Sequence, residues 1–194
     1  MALYNTSLSW GWLARLLHWL MAIMILGLIG VGLYMVEILG DDSNSLMQRY
    51  SLTQTHKSWG FVVFVLALVR VGWRWSNPTP KLEGQSKLTT TLAHGGHIAI
   101  YICIFAIPIT GWMMASASPY NDPDAYFRIP NMVFGLFELP DPYPKGDEAL
   151  TERLARAHFY IAMTLLVLVV GHAAAALKHH FVDRDNILIR MIKG

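Results

Sequence analysis

Four long apolar stretches separated by polar segments dominate the chain: Leu16 to Ile38, His56 to Trp75, Leu92 to Ala117 and Ala157 to Leu177. Each is long enough to cross the roughly 30 Å hydrocarbon core of a bilayer as a helix. The second is the least regular, because its strictly apolar core, Trp59 to Val69, ends at Arg70. Trp73 and Trp75 read as interfacial anchors there, while Arg70 and Arg74 can snorkel to one surface. The pattern predicts an all-α, integral membrane four-helix bundle, a single domain over residues 1–194 with spans at about 16–38, 56–75, 92–117 and 157–177. The first stretch is longer than a signal-peptide core and has no small-x-small cleavage pattern, so it is expected to be a retained helix.

The polar segments predict the connections. Gly40 to Thr55 reads as a polar link between the first two spans, and Ser76 to Thr91 contains Asn77-Pro78-Thr79-Pro80, a helix stop followed by extended chain. Ser116 to Arg156 is the longest loop and is rich in proline, glycine and aromatics, a profile that points to function. Its apolar centre, Met132 to Phe137, is expected to lie on the membrane surface as a short amphipathic piece partly covering one end of the bundle. Pro108 reads as a tolerated kink within the third span.

Composition agrees with a membrane protein: 54% of residues are hydrophobic and 14% charged, with a mean hydropathy of +0.38. Charge then orients it. With the N-terminus inside, the inner side carries Arg15, Arg70, Arg74, Lys81, Lys87, Lys178, Arg184, Arg190 and Lys193 against only Glu83, Asp183 and Asp185. The outer side carries six basic residues against ten acids. This bias favours N-in and C-in, with the bundle surrounded by lipid. No nucleic-acid partner is expected.

The candidate chemistry lies in the histidines. His158 and His172 stand fourteen residues apart in the fourth span, close to four turns, so both project from one face about 21 Å apart along the axis at 1.5 Å per residue. Ionisable groups inside a membrane are costly and suggest function, and two in register suggest two metal centres at different depths. Topology sorts the rest. His56 opens the second span and pairs with His158 at the outer level. His18, His94, His97 and His172 compete at the inner level, where His18 with His172 is the best pair because His172 shares a face with an outer ligand. For His94 and His97 a hydrogen bond across helices or a place beside a quinone head group is expected, and for His179 and His180 an interfacial position. Each depth offers two good ligands rather than the three or four of a zinc site. The single cysteine, Cys103, excludes the C-x-x-C-H motif of covalently attached haem. Two non-covalent b haems, stacked across the bilayer, are therefore the expected cofactors. Gly32 lies fourteen residues after His18, at the outer level of the same face, where a bulky side chain would collide with a haem. Arg70 lies fourteen after His56, at the inner level, where a guanidinium can pair with a propionate. Gly60 and Gly171 thin their helices beside the histidines.

These residues resemble a known group, the bacterial di-haem cytochrome b-561 family. The matching elements are Leu17-His18-Trp19, Thr55-His56-Lys57, Val69-Arg70 with Asn77-Pro78-Thr79-Pro80, Leu92-Ala93-His94-Gly95-Gly96-His97 and the run Gly171-His172 to His180. The resemblance covers nearly the whole chain. Carried over by position, it implies His18 and His172 on the inner haem iron and His56 and His158 on the outer. It also implies oxidation of superoxide outside the inner membrane with delivery of the electron to ubiquinone. The third loop departs from the family, being longer and more acidic here.

Bis-histidine iron has no open position, so electron transfer at the haem edge is the expected chemistry. Lys57, Arg153 and Arg156, beside His56 and His158, are candidates for drawing an anion to the outer haem. Arg74, His94, His97 and Lys178 are candidates for hydrogen bonding or proton delivery at a quinone site. The alternative is an electron-carrying subunit linking a dehydrogenase, a hydrogenase or a soluble cytochrome, as protein electron donor, to the quinone pool. A membrane scaffold without haem is the third reading.

Overall fold

A computed structural model describes residues 2–80, 86–143 and 145–194. Lys81 and Glu83, which enter the charge balance, and Pro144 lie outside the described residues. Four long apolar helices make the bundle: α1 (Trp12–Glu37), α2 (Ser43–Ser76), α3 (Lys87–Ala117) and α4 (Glu148–Lys178). A π-helical turn, His179–Asp183, and a short α5 (Ile187–Ile192) follow. The end carrying His18 and His172 is called inner here, and the opposite end outer.

One expectation is corrected and another takes a definite form. Gly40 to Thr55 is not an open link, because α2 begins at Ser43 and runs for 34 residues. Asp42 caps it by accepting from the backbone N–H groups of Asn44 and Ser45, so the polar run Asn44 to Gln54 forms a helical extension of the span. Arg49 closes the turn before it by donating to the carbonyls of Leu39 and Gly40. The polarity of this segment reports solvent, not loss of helix. Met132 to Phe137, expected as a short amphipathic piece over one end of the bundle, takes strand form. It is an antiparallel hairpin, β1 (Met132–Val133) with β2 (Phe137–Glu138), turned at Phe134 and Gly135, which have φ of 50° and 71°. Two successive residues at positive φ define the type I′ turn that suits hairpins, and glycine takes the second of them without strain.

The buried core lies midway along the bundle. Met21, Val63, Ala67, Cys103, Ile104 and Leu165 are buried together, with Ile25 packed against them. Val63 is seven residues from both His56 and Arg70, and Leu165 is seven from both His158 and His172. Seven residues is close to two turns, about 10.5 Å. An apolar plug therefore separates the inner and outer histidine levels. Most large apolar side chains outside it, such as Ile23, Leu68, Ile102 and Val167, are exposed in the isolated chain, as expected of surfaces that meet lipid.

Both termini gather at the inner end. Arg15 donates to the carbonyl of Ile192 at 2.9 Å, and the Trp19 indole to that of Met191 at 3.1 Å. Asn5 bridges the start of the chain to the α2–α3 corner, donating to Pro78 O while accepting from Gly11 N. The backbone of Leu3 and Tyr4 passes so close to Gly11 that no Cβ fits there. Trp73, expected as a membrane anchor, stacks on Tyr4 with ring centroids 5.4 Å apart; Trp75 is exposed.

Candidate functional site

The bundle brings together both predicted histidine pairs. At the outer end the rings of His56 and His158 lie 6.3 Å apart between centroids, and at the inner end those of His18 and His172 lie 6.1 Å apart. Two imidazoles on opposite sides of one metal ion are separated by two bonds of roughly 2 Å plus about 1.1 Å from each nitrogen to its ring centre, about 6.2 Å in all. Both pairs have a separation that would let them hold one metal ion between them. Their donor chemistry agrees: Nδ1 of His18 and of His56 are buried with no hydrogen-bond partner among the described residues.

His158 is held differently. Its Nδ1 donates to the backbone carbonyl of Ile107 at 3.0 Å, and Thr110 Oγ lies 3.3 Å away. That bond fixes the tautomer and leaves the Nε2 lone pair for a ligand, the usual arrangement for a metal-binding histidine. Gly32 of α1 faces His56, whose Cε1 would lie 3.7 Å from an added Cβ, which places this glycine at the outer level as its spacing predicts. Gly111 of α3, missed in the sequence, faces His158 more tightly: an added Cβ would meet ring atoms at 3.1 and 3.3 Å. A signal for it was present, since Gly111 follows His97 by the same fourteen residues that separate Gly32 from His18. Gly60 and Gly171 face open space.

A third imidazole joins the inner level. His97 packs edge-on against His172 with centroids 5.2 Å apart, about 1 Å closer than the spacing of two axial ligands just derived. Arg70 reaches this cluster from α2, its Nε donating to the Tyr101 hydroxyl at 3.2 Å, and its charge acts on His18, His97 and His172. Arg74 acts likewise on His97. His94 is exposed, at the edge of the cluster and within electrostatic reach of His97. Lys178 is engaged elsewhere, donating to both carboxylate oxygens of Asp183.

The outer candidates for anion steering are spread apart. Lys57 is folded into the long loop, where its Nζ donates to Asn131 Oδ1 at 3.2 Å. Buried Asn131 in turn donates to Asp141, which pairs with Arg128, and Arg128 pairs with Glu138. Ser58, the next residue on α2, accepts from the backbone N–H of Phe134, so the hairpin is clamped against the helix. Arg153 and Arg156 are exposed, and Arg156 pairs with Glu152 at 3.8 Å.

Comparison with known proteins identifies the group: the family model described as prokaryotic cytochrome b561 covers residues 9–194. The chain belongs to the prokaryotic cytochrome b561 family. It is 33% identical over 193 residues to cytochrome b561 homolog 2 of Escherichia coli (strain K12), spanning 99% of this chain and 95% of that one. It is 28% identical over 181 residues to the probable superoxide oxidase CybB of Yersinia pestis, covering 91% of each. Cytochrome b561 homolog 1 of Escherichia coli (strain K12) matches at 26% over 146 residues, 73% of this chain and 74% of its own length. The chain is thus a multi-pass inner-membrane protein of a family that binds b haem and transfers electrons in the membrane. The bis-imidazole spacing and the buried unpartnered ring nitrogens fit that group.

Proposed function

We propose that this chain is a two-haem superoxide:ubiquinone oxidoreductase, with His56 and His158 holding the outer haem and His18 and His172 the inner. The observation that carries the reading is the repetition of one imidazole spacing, 6.3 and 6.1 Å, at two levels on either side of an apolar plug. The N-in, C-in orientation rests on the lysine and arginine bias. The haems, when bound, supply reversible one-electron transfer. The balance is two superoxide anions, each losing one electron to become dioxygen, against one ubiquinone gaining two electrons and two protons to become the quinol.

The chain's residues do the rest. His158, fixed by Ile107, orients one face of the outer site. Arg153 and Arg156, exposed on the same helix as His158, are the candidates for attracting superoxide, Arg156 while paired with Glu152, and Lys57 is committed to the loop. At the inner end, Arg70 supplies the compensating positive charge, and His97 with Arg74 are the candidates for hydrogen-bonding a quinone carbonyl. Lys178, held by Asp183, is a weaker candidate than its position in the sequence suggested, and His94 is the outlying one. The relative described as a probable superoxide oxidase is the support for this donor.

A second reading, an electron-carrying subunit fed by a partner protein, draws on the outer strap. A loop ordered by the chain Lys57, Asn131, Asp141, Arg128 and Glu138 presents a folded surface of the kind a protein donor docks on. Stopped-flow mixing of the oxidised, haem-loaded protein with superoxide decides between the two. Haem reduction faster than spontaneous dismutation, followed by quinol formation on adding ubiquinone, is expected; reduction only when a protein donor is supplied would replace this reading with the second.

A further inference from the structure

Beyond the histidine pairs, the inner end gathers a second set of ligating side chains. The α-helical part of α4 stops at Lys178, and the π-helical turn His179–Asp183 carries the chain to Arg184. Arg184 adopts the left-handed conformation, φ 56°, and the N–H of Asp185 returns to the carbonyl of His179 at 3.1 Å. The reversal aims both carboxylates at one imidazole. His179 Nδ1 lies 2.7 Å from Asp185 Oδ2 and 3.2 Å from Asp183 Oδ2, and all three donor atoms fall within 4.8 Å of one another.

We propose that His179, Asp183 and Asp185 form a binding site for a borderline divalent first-row cation such as zinc. Ligands at roughly 2.1 Å from a tetrahedral ion stand about 3.4 Å from one another, and the two nitrogen–oxygen separations, 2.7 and 3.2 Å, lie just below that value, so a small outward rotation of the carboxylates admits the ion. An imidazole nitrogen with two carboxylates suits zinc and its neighbours. Magnesium and calcium take oxygen ligands almost exclusively and in greater number. Three protein ligands leave a fourth position for water. The side chains are 15%, 31% and 24% exposed for His179, Asp183 and Asp185, which gives an ion access from the aqueous side.

Lys178 is the built-in competitor. Its ammonium sits 2.7 and 2.8 Å from the two oxygens of Asp183, and at 62% exposure its side chain can swing into water when an ion takes that carboxylate. The site also has a mechanical consequence. Asp185 precedes α5 and accepts from Ile187 N, while the far end of α5 is tied to α1 through Arg15 and Trp19. An ion here clasps the start of α5 to the end of α4, beneath the helices that carry His18 and His172. This inference does not depend on the haem ligation or on the superoxide reaction.

The test uses the purified, haem-loaded full chain in detergent, stripped with a chelator. Zinc is titrated by calorimetry, bound metal is counted by elemental analysis, and magnesium serves as the comparison ion. One equivalent of zinc with micromolar or tighter affinity is expected. His179→Ala and Asp185→Asn should each weaken it tenfold or more, and Lys178→Ala should tighten it severalfold. That last gain cannot come from a misfolded protein. A thermal midpoint that rises with zinc in the parent and not in Asp185→Asn would accompany binding. Zinc uptake unchanged in His179→Ala and Asp185→Asn, or absent in the parent and in Lys178→Ala, would overturn the proposal and leave the cluster as an ion-pair network only.

Discussion

The outer and inner histidine pairs share a spacing and differ in almost everything around it. At the outer level His158 is pinned by a backbone carbonyl, glycines of α1 and α3 flank the rings, and a folded loop closes over α2. At the inner level no such bond holds His18, a third imidazole crowds His172, and a guanidinium stands within electrostatic reach. Donating Nδ1–H to a carbonyl makes an imidazole a stronger ligand, which favours the oxidised metal and lowers its potential. A nearby cation favours the extra electron and raises it. On the proposed reading, haems held by the two pairs would have potentials that tilt electron flow from the outer pair to the inner.

The contrast can be broken most sharply at Gly111. A leucine there would drive side-chain atoms into the His158 ring, where even a Cβ would sit 3.1 Å away. Overpacking of this kind costs about 1–3 kcal/mol or more, so Gly111→Leu is expected to lose the outer haem and keep the inner, read from haem content and the redox titration. Gly111→Ala should retain both and shift only the outer potential. Next in size is Arg70→Gln, which removes the inner cation. It should lower the inner potential by something on the order of tens of mV, given Coulomb energies at an intermediate dielectric, and leave the outer one in place. A shift in the outer potential instead would reverse the assignment of levels.

His97→Ala tests whether the third imidazole is a neighbour or a ligand. At 5.2 Å from His172 it is too close for an axial partner, so both haems should remain with low-spin spectra and quinol formation should slow severalfold. Loss of the inner haem in this variant would replace His18 by His97. The smallest effect is expected in the outer loop. Asp122 accepts from the backbone N–H groups of Asp124 and Gly146, which hold its carboxyl below the ordinary value. A depressed folded value means the stabilisation is complete above the unfolded value and is lost as pH falls through the folded one. Hydrogen exchange in residues 118–147 should therefore speed up below about pH 4, with the helices unaffected, and Asp122→Asn should show part of that change at neutral pH.

What could be read in advance was whatever repeats at helical spacing. The four spans, the fourteen-residue intervals from His18 to Gly32 and from His158 to His172, and the sorting of histidines by depth all follow from periodicity and topology. Gly111 was open to the same reading through His97. Contacts that depend on how α3 lies against α4, such as His158 with Ile107, have no local signature. Neither does the bond of Lys57 with Asn131, 74 residues away. The hairpin was hidden because Phe134 sits at a positive φ that its side chain disfavours; Ser58 and the Trp59 ring, 5.2 Å from that of Phe134, hold it there. The helical extension before His56 was masked by polarity, which marks solvent and not secondary structure.

The central claim is that each imidazole pair holds its own redox centre. Haem content and a spectroelectrochemical titration of the purified parent, His158→Ala and His172→Ala test it most directly. The account predicts two b haems per chain with separated potentials, the higher one alone surviving in His158→Ala and the lower one alone in His172→Ala. A single haem in the parent, or loss of the same component in both variants, would contradict it.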